Sequence, residues 1–183
     1  MSQDNPPNIE AVDWKRETPQ RFWDPGKRLM VAIRRYQYWH GKGGVLGQLL
    51  KRRWGLSHRF WSVVTGADIP LNCQLGGGLM IPHPNGVVIH PKAVVGINCL
   101  LFQQVTIGQV HGGGVPTLGD YVDVGAGAKI LGNIVVGTRA RVGANAVVLH
   151  DVPPGATVVG IPAKVVKQAL PNSAAAISPV DVA

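Results

Sequence analysis

The sequence predicts a β-helix preceded by a short helical region, and two observations lead to this prediction. An aliphatic residue recurs every six positions between Ile69 and Val148, with two interruptions. Four positions after most of these residues stands a second small or aliphatic residue, and glycine often follows the repeat residue directly, as at Gly76 and Gly96. An amphipathic helix repeats every ~3.6 residues and an ordinary strand every ~2, so neither produces a period of six.

Each six-residue unit fits a short strand followed by a corner, and three units complete one coil. The repeat residues and their partners four positions later then point inward and stack between coils. Two alternatives are chance periodicity in a chain rich in glycine and valine, and a sandwich of short strands. Thirteen repeats with two breaks disfavour chance, and a sandwich predicts longer strands at wider spacing. A packed prism has no interior pocket, so any chemistry lies on its outside, in its loops or between two prisms.

The residues before the repeat predict helices. Helical patterns cover about 10–16, 25–39 and 45–64, and Gly41, Gly43 and Gly44 separate the last two. We therefore divide the chain into a disordered N-terminus at 1–8, an α-helical region at 9–66, a β-helix at 67–167 and a flexible tail at 168–183. A chain of 183 residues fits one compact unit, with the helices packed on the β-helix.

Composition bounds the cellular setting. No run of about 18 apolar residues is present to span a membrane, and residues 1–7 lack the apolar core of a secretory signal. Both cysteines, Cys73 and Cys99, fall on inward positions, which favours core packing over a disulfide, a metal site or a nucleophile. A reducing cytoplasm is the expected compartment.

Positive charge is concentrated before the repeat. Residues 1–67 contain twelve Lys and Arg against five Asp and Glu, and aromatic residues alternate with the basic ones. Nucleic-acid binding is one interpretation, but no recognised motif supports it, so no nucleic-acid partner is expected. The other interpretations are contact with anionic membrane lipid and a solvated basic face whose aromatic residues pack on the first coil.

Five segments carry a resemblance to a known family: 66–69 (Gly-Ala-Asp-Ile), 78–83 (Gly-Leu-Met-Ile-Pro-His), 104–108 (Gln-Val-Thr-Ile-Gly), 125–132 (Gly-Ala-Gly-Ala-Lys-Ile-Leu-Gly) and 159–164 (Val-Gly-Ile-Pro-Ala-Lys). Residues 68–167 thereby resemble the hexapeptide-repeat acyltransferases, in the branch of serine O-acetyltransferases and their relatives in polysaccharide gene clusters. The resemblance implies a left-handed coil, an exception to the usual right-handed crossover. It also implies acetyl-CoA as co-substrate, no metal, and a homotrimer with active sites in the grooves between subunits.

His83 is the candidate general base. It follows Ile81 by two positions, which points its ring outward, and the resemblance gives this histidine the role of accepting the proton of an attacking hydroxyl. Asp68 precedes it by fifteen residues in a coil of about eighteen, so the two lie near one edge of the same turn, where the carboxylate orients the ring. Capping the start of the coil is the alternative role for Asp68.

The second interruption of the repeat, 109–117, contains three consecutive glycines. The resemblance implies a loop that reaches into the active-site groove, which makes His111 a candidate site residue, with an ordinary loop histidine as the alternative. The resemblance also implies a donor groove lined by small residues, backbone donors and cations: Thr106, Gly108, Ala126, Gly127, Ala128, Lys129 and Lys164.

Two departures bear on the acceptor. Many serine acetyltransferases have an acidic residue just before the catalytic histidine and an Arg-His pair near the end of the loop, whereas this chain has Pro82 and Gly114-Val115. Serine is the favoured acceptor and a sugar hydroxyl the alternative. Two further alternatives are a zinc hydratase using His83, His90 and His111, and a non-catalytic scaffold on a membrane-bound complex.

Overall fold

The fold was analysed in a computed structural model that describes residues 11–110 and 113–168. The N-terminus predicted to be disordered, His111 and the tail beyond residue 168 lie outside the described residues. The predicted fold class is confirmed: a mainly β parallel β-helix follows a short α-helical region. No helix among the described residues is long and apolar enough to cross a membrane.

The helical region contains α1 (Pro25–His40) and α2 (Gly44–Thr65). The helix predicted at 10–16 is reduced to one 3-10 turn, Trp14–Arg16. The reason is a competing set of contacts, since the Asp13 carboxylate accepts from Lys15 N at 3.0 Å while the Asp13 N–H donates to Asn98 Oδ1 at 2.9 Å. Because Asp13 is hydrogen-bonded to Asn98 of the β-helix, this segment forms a single 3-10 turn rather than a longer helix.

Thirteen short strands follow in the part of the chain that the structure describes. Their bounds are β1 Gln74–Leu75, β2 Val88–Ile89, β3 Val94–Val95, β4 Leu100–Leu101, β5 Thr106–Gly108, β6 Thr117–Leu118, β7 Asp123–Val124, β8 Lys129–Leu131, β9 Val135–Val136, β10 Arg141–Val142, β11 Val147–Val148, β12 Thr157–Val159 and β13 Lys164–Lys167.

The strands form three parallel sheets, which are the faces of a prism. Face 1 contains β2, β5, β8 and β11, face 2 contains β1, β3, β6 and β9, and face 3 contains β4, β7, β10 and β12. Each coil crosses the faces in that order. At the C-terminal end β13 pairs antiparallel with β12, so the chain reverses on face 3.

Stacked aliphatic side chains fill the prism. All thirteen repeat residues are at most 9% exposed, and on face 1 they form a single column of Ile69, Ile89, Ile107, Ile130 and Val148. The glycines after the repeat have a steric cause. A Cβ on Gly96 would overlap the backbone of Gly119 in the next coil, so a larger residue there would push neighbouring coils apart.

The helical region covers the open end of the first coil. The Arg34 guanidinium donates to the carbonyls of Leu75 at 2.6 Å and Gly76 at 2.5 Å. His58 Nε2 lies 2.9 Å from Ile69 O. These contacts satisfy backbone groups that would otherwise form an unpaired sheet edge, and Leu29, Met30 and Ile33 extend the core into α1.

Candidate functional site

Outward-facing side chains on face 1 form one column along the prism. Parallel pairing aligns Asp68 with Val88, Val88 with Thr106, Thr106 with Lys129, and Lys129 with Val147. Neighbouring strands lie ~4.8 Å apart, so the column spans roughly 19 Å. Several residues predicted from widely separated segments are therefore neighbours on one surface.

The edge between faces 3 and 1, called here the 3/1 edge, carries His83. Its corners stack through backbone hydrogen bonds, from Gly86 N to Gly66 O, from Gln104 N to Asn85 O, and from Gly127 N to Gln103 O, at 2.8–2.9 Å. Gly66, Gly86, Gln104, Gly127 and Asn145 all have positive φ there. The histidine thus lies in a turn directly bonded to the corner that precedes Asp68.

His83 and Asp68 are both exposed, and no hydrogen bond joins their side chains among the described residues. The Asp68 backbone is fixed, since its N–H donates to Val87 O at 2.9 Å and its carbonyl accepts from Ile89 N at 3.0 Å. The fold therefore places the two residues at the same edge of the first coil. The role of Asp68 in orienting the His83 ring stays a prediction.

The first turn of α1 supports the His83 turn from below. Gly26 is buried, and a Cβ there would lie 2.5 Å from Ile81 O and 3.6 Å from Pro84 Cδ. Sequence reasoning missed this contact because it joins segments more than fifty residues apart. The glycine directly after Pro25, at the start of a predicted helix, is the one sequence signal that could have indicated the contact between α1 and the His83 turn.

Lys129 is held over face 1. Its Nζ donates to Gln104 O at 2.7 Å and to Thr106 Oγ1 at 3.1 Å. Its ammonium therefore lies beside Thr106, at the middle of the column. Gln104, which sequence analysis did not include as a site residue, provides the anchoring carbonyl.

Gly108 ends β5 on face 1 and differs from the other glycines that follow a repeat residue. A Cβ at this position would meet only Leu131 Cδ2 at 3.4 Å and Thr106 Cγ2 at 3.5 Å. The stacking of coils does not require a glycine here, whereas it does at Gly96. The small residue leaves open surface beside Thr106.

The small residues at 126–128 do not behave alike. Ala126 and Gly127 are partly exposed at the 3/1 edge. Ala128 is fully buried, its N–H donates to Gly125 O and its carbonyl accepts from Thr106 N. The expectation that Ala128 presents a free amide to a ligand is therefore wrong, because this residue occupies an inward corner position.

Lys164 is exposed at the start of β13. Its neighbour Ala163 donates its N–H to Val147 O at 2.8 Å, which extends the face 1 column by one residue. Lys164 itself pairs with Val159 on face 3, so its cation lies at the C-terminal end of the prism, next to the residue that continues the column.

Both cysteines are free and buried, as predicted. Burial raises the pKa of the Cys73 thiol to about 11, with a further contribution from the Asp68 carboxylate. Burial likewise raises the pKa of the Cys99 thiol to about 11. Neither thiol is a nucleophile near neutral pH, because the reactive form is the thiolate.

His111 lies outside the described residues, so its relation to His83 and His90 is not defined. The loop that contains it leaves face 1 after Gly108, and its stem is closed by Gln109 Nε2 donating to Gly113 O at 2.7 Å. Across 11–110 and 113–168, no group of three or more His, Cys, Asp or Glu residues could hold a metal ion.

Comparison with known proteins gives the chain's relatives. No family model matches the sequence. Serine acetyltransferase of Synechococcus elongatus is 50% identical over 107 residues, which are 57% of this chain and 44% of that protein. Serine acetyltransferase of Mycobacterium tuberculosis is 45% identical over 169 residues, which are 91% of this chain and 63% of that protein.

Solved structures agree. Serine acetyltransferase from Brucella abortus superposes with a TM-score of 0.67 at 33% identity, over 79% of this chain and 57% of that chain. A serine acetyltransferase in complex with CoA gives 0.66 at 34% identity, over 79% and 58%. The Neisseria gonorrhoeae enzyme in complex with serine gives 0.63 at 38% identity, over 79% and 58%.

The prism of stacked six-residue units thus defines a hexapeptide-repeat parallel β-helix. Within that class, the resemblance to the serine O-acetyltransferase-like branch is confirmed by the sequence and structure relatives. The chain spans about half to two thirds of the length of these relatives.

Proposed function

We propose that the protein is an acetyl-CoA-dependent serine O-acetyltransferase. The observation that carries the proposal is the juxtaposition of Asp68, Thr106 and Lys129 in one column of face 1, beside the edge that holds His83. It is supported by relatives named serine acetyltransferase and by related structures in complex with CoA and with serine.

In the proposed reaction His83 is the general base. The serine hydroxyl gives its proton to the imidazole as its oxygen bonds to the acetyl carbonyl carbon, and the carbon–sulfur bond then breaks. Coenzyme A leaves as a thiolate and receives the proton back from the imidazolium. Asp68 accepts a hydrogen bond from the other ring nitrogen once substrate draws the two side chains together, which fixes the tautomer.

Direct transfer is favoured over an acyl-enzyme. A covalent route needs an activated nucleophile at the surface, whereas both thiols are buried and protonated with pKa values of about 11. The hydroxyl of Thr106 accepts from Lys129 Nζ. We assign Thr106 to positioning the thioester.

The donor is proposed to lie along face 1 and the 3/1 edge. Ala126 and Gly127 allow the pantetheine arm to approach the backbone, and Gly108 keeps the surface beside the thioester open. Lys129 is proposed to provide positive charge near the thioester, and Lys164, at the C-terminal end of the prism, is proposed to bind the phosphates. His111 is proposed as a residue that contacts substrate.

The active unit is proposed to be a homotrimer, since a single prism offers only an open surface. Apolar side chains outside the core support an interface between prisms, with Val135 at 53%, Leu149 at 40% and Ile161 at 75% exposure.

A cytoplasmic location is proposed because acetyl-CoA is made there and because both thiols are reduced. We also propose that the chain divides after residue 66 and after residue 167, into a helical region, a β-helix and a C-terminal tail.

A sugar hydroxyl is the second candidate acceptor. Pro82, immediately before His83, is exposed and removes the carboxylate expected at that position to bind the serine ammonium. A neutral sugar needs no such partner.

The test is thiol release from acetyl-CoA by the purified full chain, with L-serine and separately with nucleotide sugars. Serine-dependent release that falls at least about a hundredfold in His83→Ala supports the proposal, since a general base typically contributes about a hundred- to ten-thousandfold. His150→Ala is the matched control, because this exposed histidine lies in the last coil, away from the 3/1 edge. Release with sugars alone would move the activity to polysaccharide precursors, and no release with either acceptor would refute it.

A further inference from the structure

Helix α2 carries an apolar surface that nothing in the described chain covers. Six of its aliphatic and aromatic side chains are 56–87% exposed: Val45, Leu46, Leu49, Leu56, Phe60 and Val63. At ~100° per residue these positions fall within an arc of about 100°. They form a single stripe, named here the α2 stripe.

The stripe faces away from the protein. The buried residues of α2 are Gly47 and Thr65, on the opposite side of the helix, and His58 on that same side contacts Ile69 O at 2.9 Å. Trp61 also packs against the core. The earlier interpretation, in which the aromatic residues pack on the first coil, therefore holds for Trp61 and not for the stripe.

The charged residues around the α2 stripe are all basic. Residues 25–67 contain nine Lys and Arg and no Asp or Glu. Arg52 and Arg59 flank the stripe on one side and Arg53 interrupts it on the other; all three are exposed. Among the described residues no carboxylate lies within 4.0 Å of any of these three guanidinium groups.

We propose that the α2 stripe docks on an anionic lipid surface. A helix with an apolar face bordered by arginines binds in the interfacial plane of a membrane, where apolar side chains enter the acyl boundary and cations meet lipid phosphates. A second copy of this chain fits less well. A symmetric pairing of two α2 stripes would bring Arg52, Arg53 and Arg59 of both copies together without counter-charges.

The experiment is cosedimentation of the full chain with vesicles. One set is phosphatidylcholine alone and the other is a mixture of phosphatidylcholine and phosphatidylglycerol. We expect binding to the mixed vesicles that weakens as salt is raised. The double variant Leu49→Ser/Phe60→Ser should lower the bound-to-free ratio at least tenfold, whereas the control Val166→Ser, at an exposed valine of β13, should not change it.

Equal binding to both vesicle types, no binding to either, or equal binding by the double variant would overturn the proposal. A concentration-dependent doubling of the assembly's mass that the double variant abolishes would assign the stripe to a second copy instead. Thiol release by the double variant should equal that of the parent, since both side chains are exposed on α2 and neither is assigned to the donor or acceptor site. The lipid proposal and the acetyltransferase proposal can therefore fail separately.

Discussion

Replacing Glu17 with alanine is expected to loosen the helical region from the first coil. The Glu17 carboxylate is buried, accepts from Arg34 Nε at 3.0 Å and from Arg34 Nη2 at 2.8 Å, and also accepts from the Leu79 N–H at 3.0 Å. Arg34 in turn donates to two carbonyls of the first coil. One side chain thus links the segment before α1, α1 itself and the β-helix.

The magnitude follows from what the substitution leaves behind. Removing one partner of a buried ion pair leaves an uncompensated charge and costs about 3–5 kcal/mol. The Leu79 N–H, in a residue only 1% exposed, also loses its acceptor. In a chain of this size each kcal/mol lowers the Tm by about 2–4 °C, so the Tm should fall by about 6–20 °C.

The assay is thermal and denaturant unfolding at one fixed protein concentration, because assembly stabilises the folded state by mass action. Lys27→Ala is the control, since it removes a partly exposed surface pair with Asp24 at 4.0 Å and surface pairs contribute about 0–1 kcal/mol. A loss below about 1 kcal/mol for Glu17→Ala would refute the argument. It would mean that the helical region does not depend on this link.

Four further predictions concern glycines and thiols. Gly96→Ala should destabilise the fold by about 1–3 kcal/mol by overlapping the next coil. Gly108→Ala should leave the Tm unchanged but lower thiol release, and equal Tm losses would contradict this distinction. Gly26→Ala should lower both kcat and the Tm, because the added Cβ would lie 2.5 Å from Ile81 O and would displace the turn that contains His83; an unchanged kcat would exclude that role. Stability should fall from about pH 9 to about pH 11, since unfolded thiols ionise near 9.0 and the buried ones near 11, so the unfolded state binds fewer protons in that window. The free energy of unfolding of Cys73→Ala/Cys99→Ala should fall less over that range, and a parallel fall would show that other groups cause it.

The six-residue repeat could be recognised in the sequence because its physical cause is local. Every inward position of a β-helix is set by the same strand and corner, so the burial of Ile69 or Val142 follows from spacing alone. The candidate site followed the same logic only in part, since Asp68, Thr106 and Lys129 share one column although the coils between them differ in length, with the extra residues in the two interruptions of the repeat. Ala128 was misjudged because a small residue fits an inward corner as well as a ligand groove.

Contacts between distant segments have no comparable pattern in the sequence. The pairing of Glu17 with Arg34, the packing of Gly26 under the His83 turn and the outward direction of the α2 stripe each depend on how helices approach the first coil. Apolar residues in a helix indicate that some face is covered, but not which one. The same sequence pattern would suit a helix with its apolar face buried in the core.

The sequence by itself determined the β-helix, the inward stacks and the outward position of His83, because a six-residue period fixes the direction of each side chain without reference to the rest of the chain. Only the tertiary structure decided which glycines are required by stacking and which leave an open surface, how the helical region covers the first coil, and where the unpaired arginines lie. Those properties depend on distances between segments far apart in the chain, which no local pattern encodes.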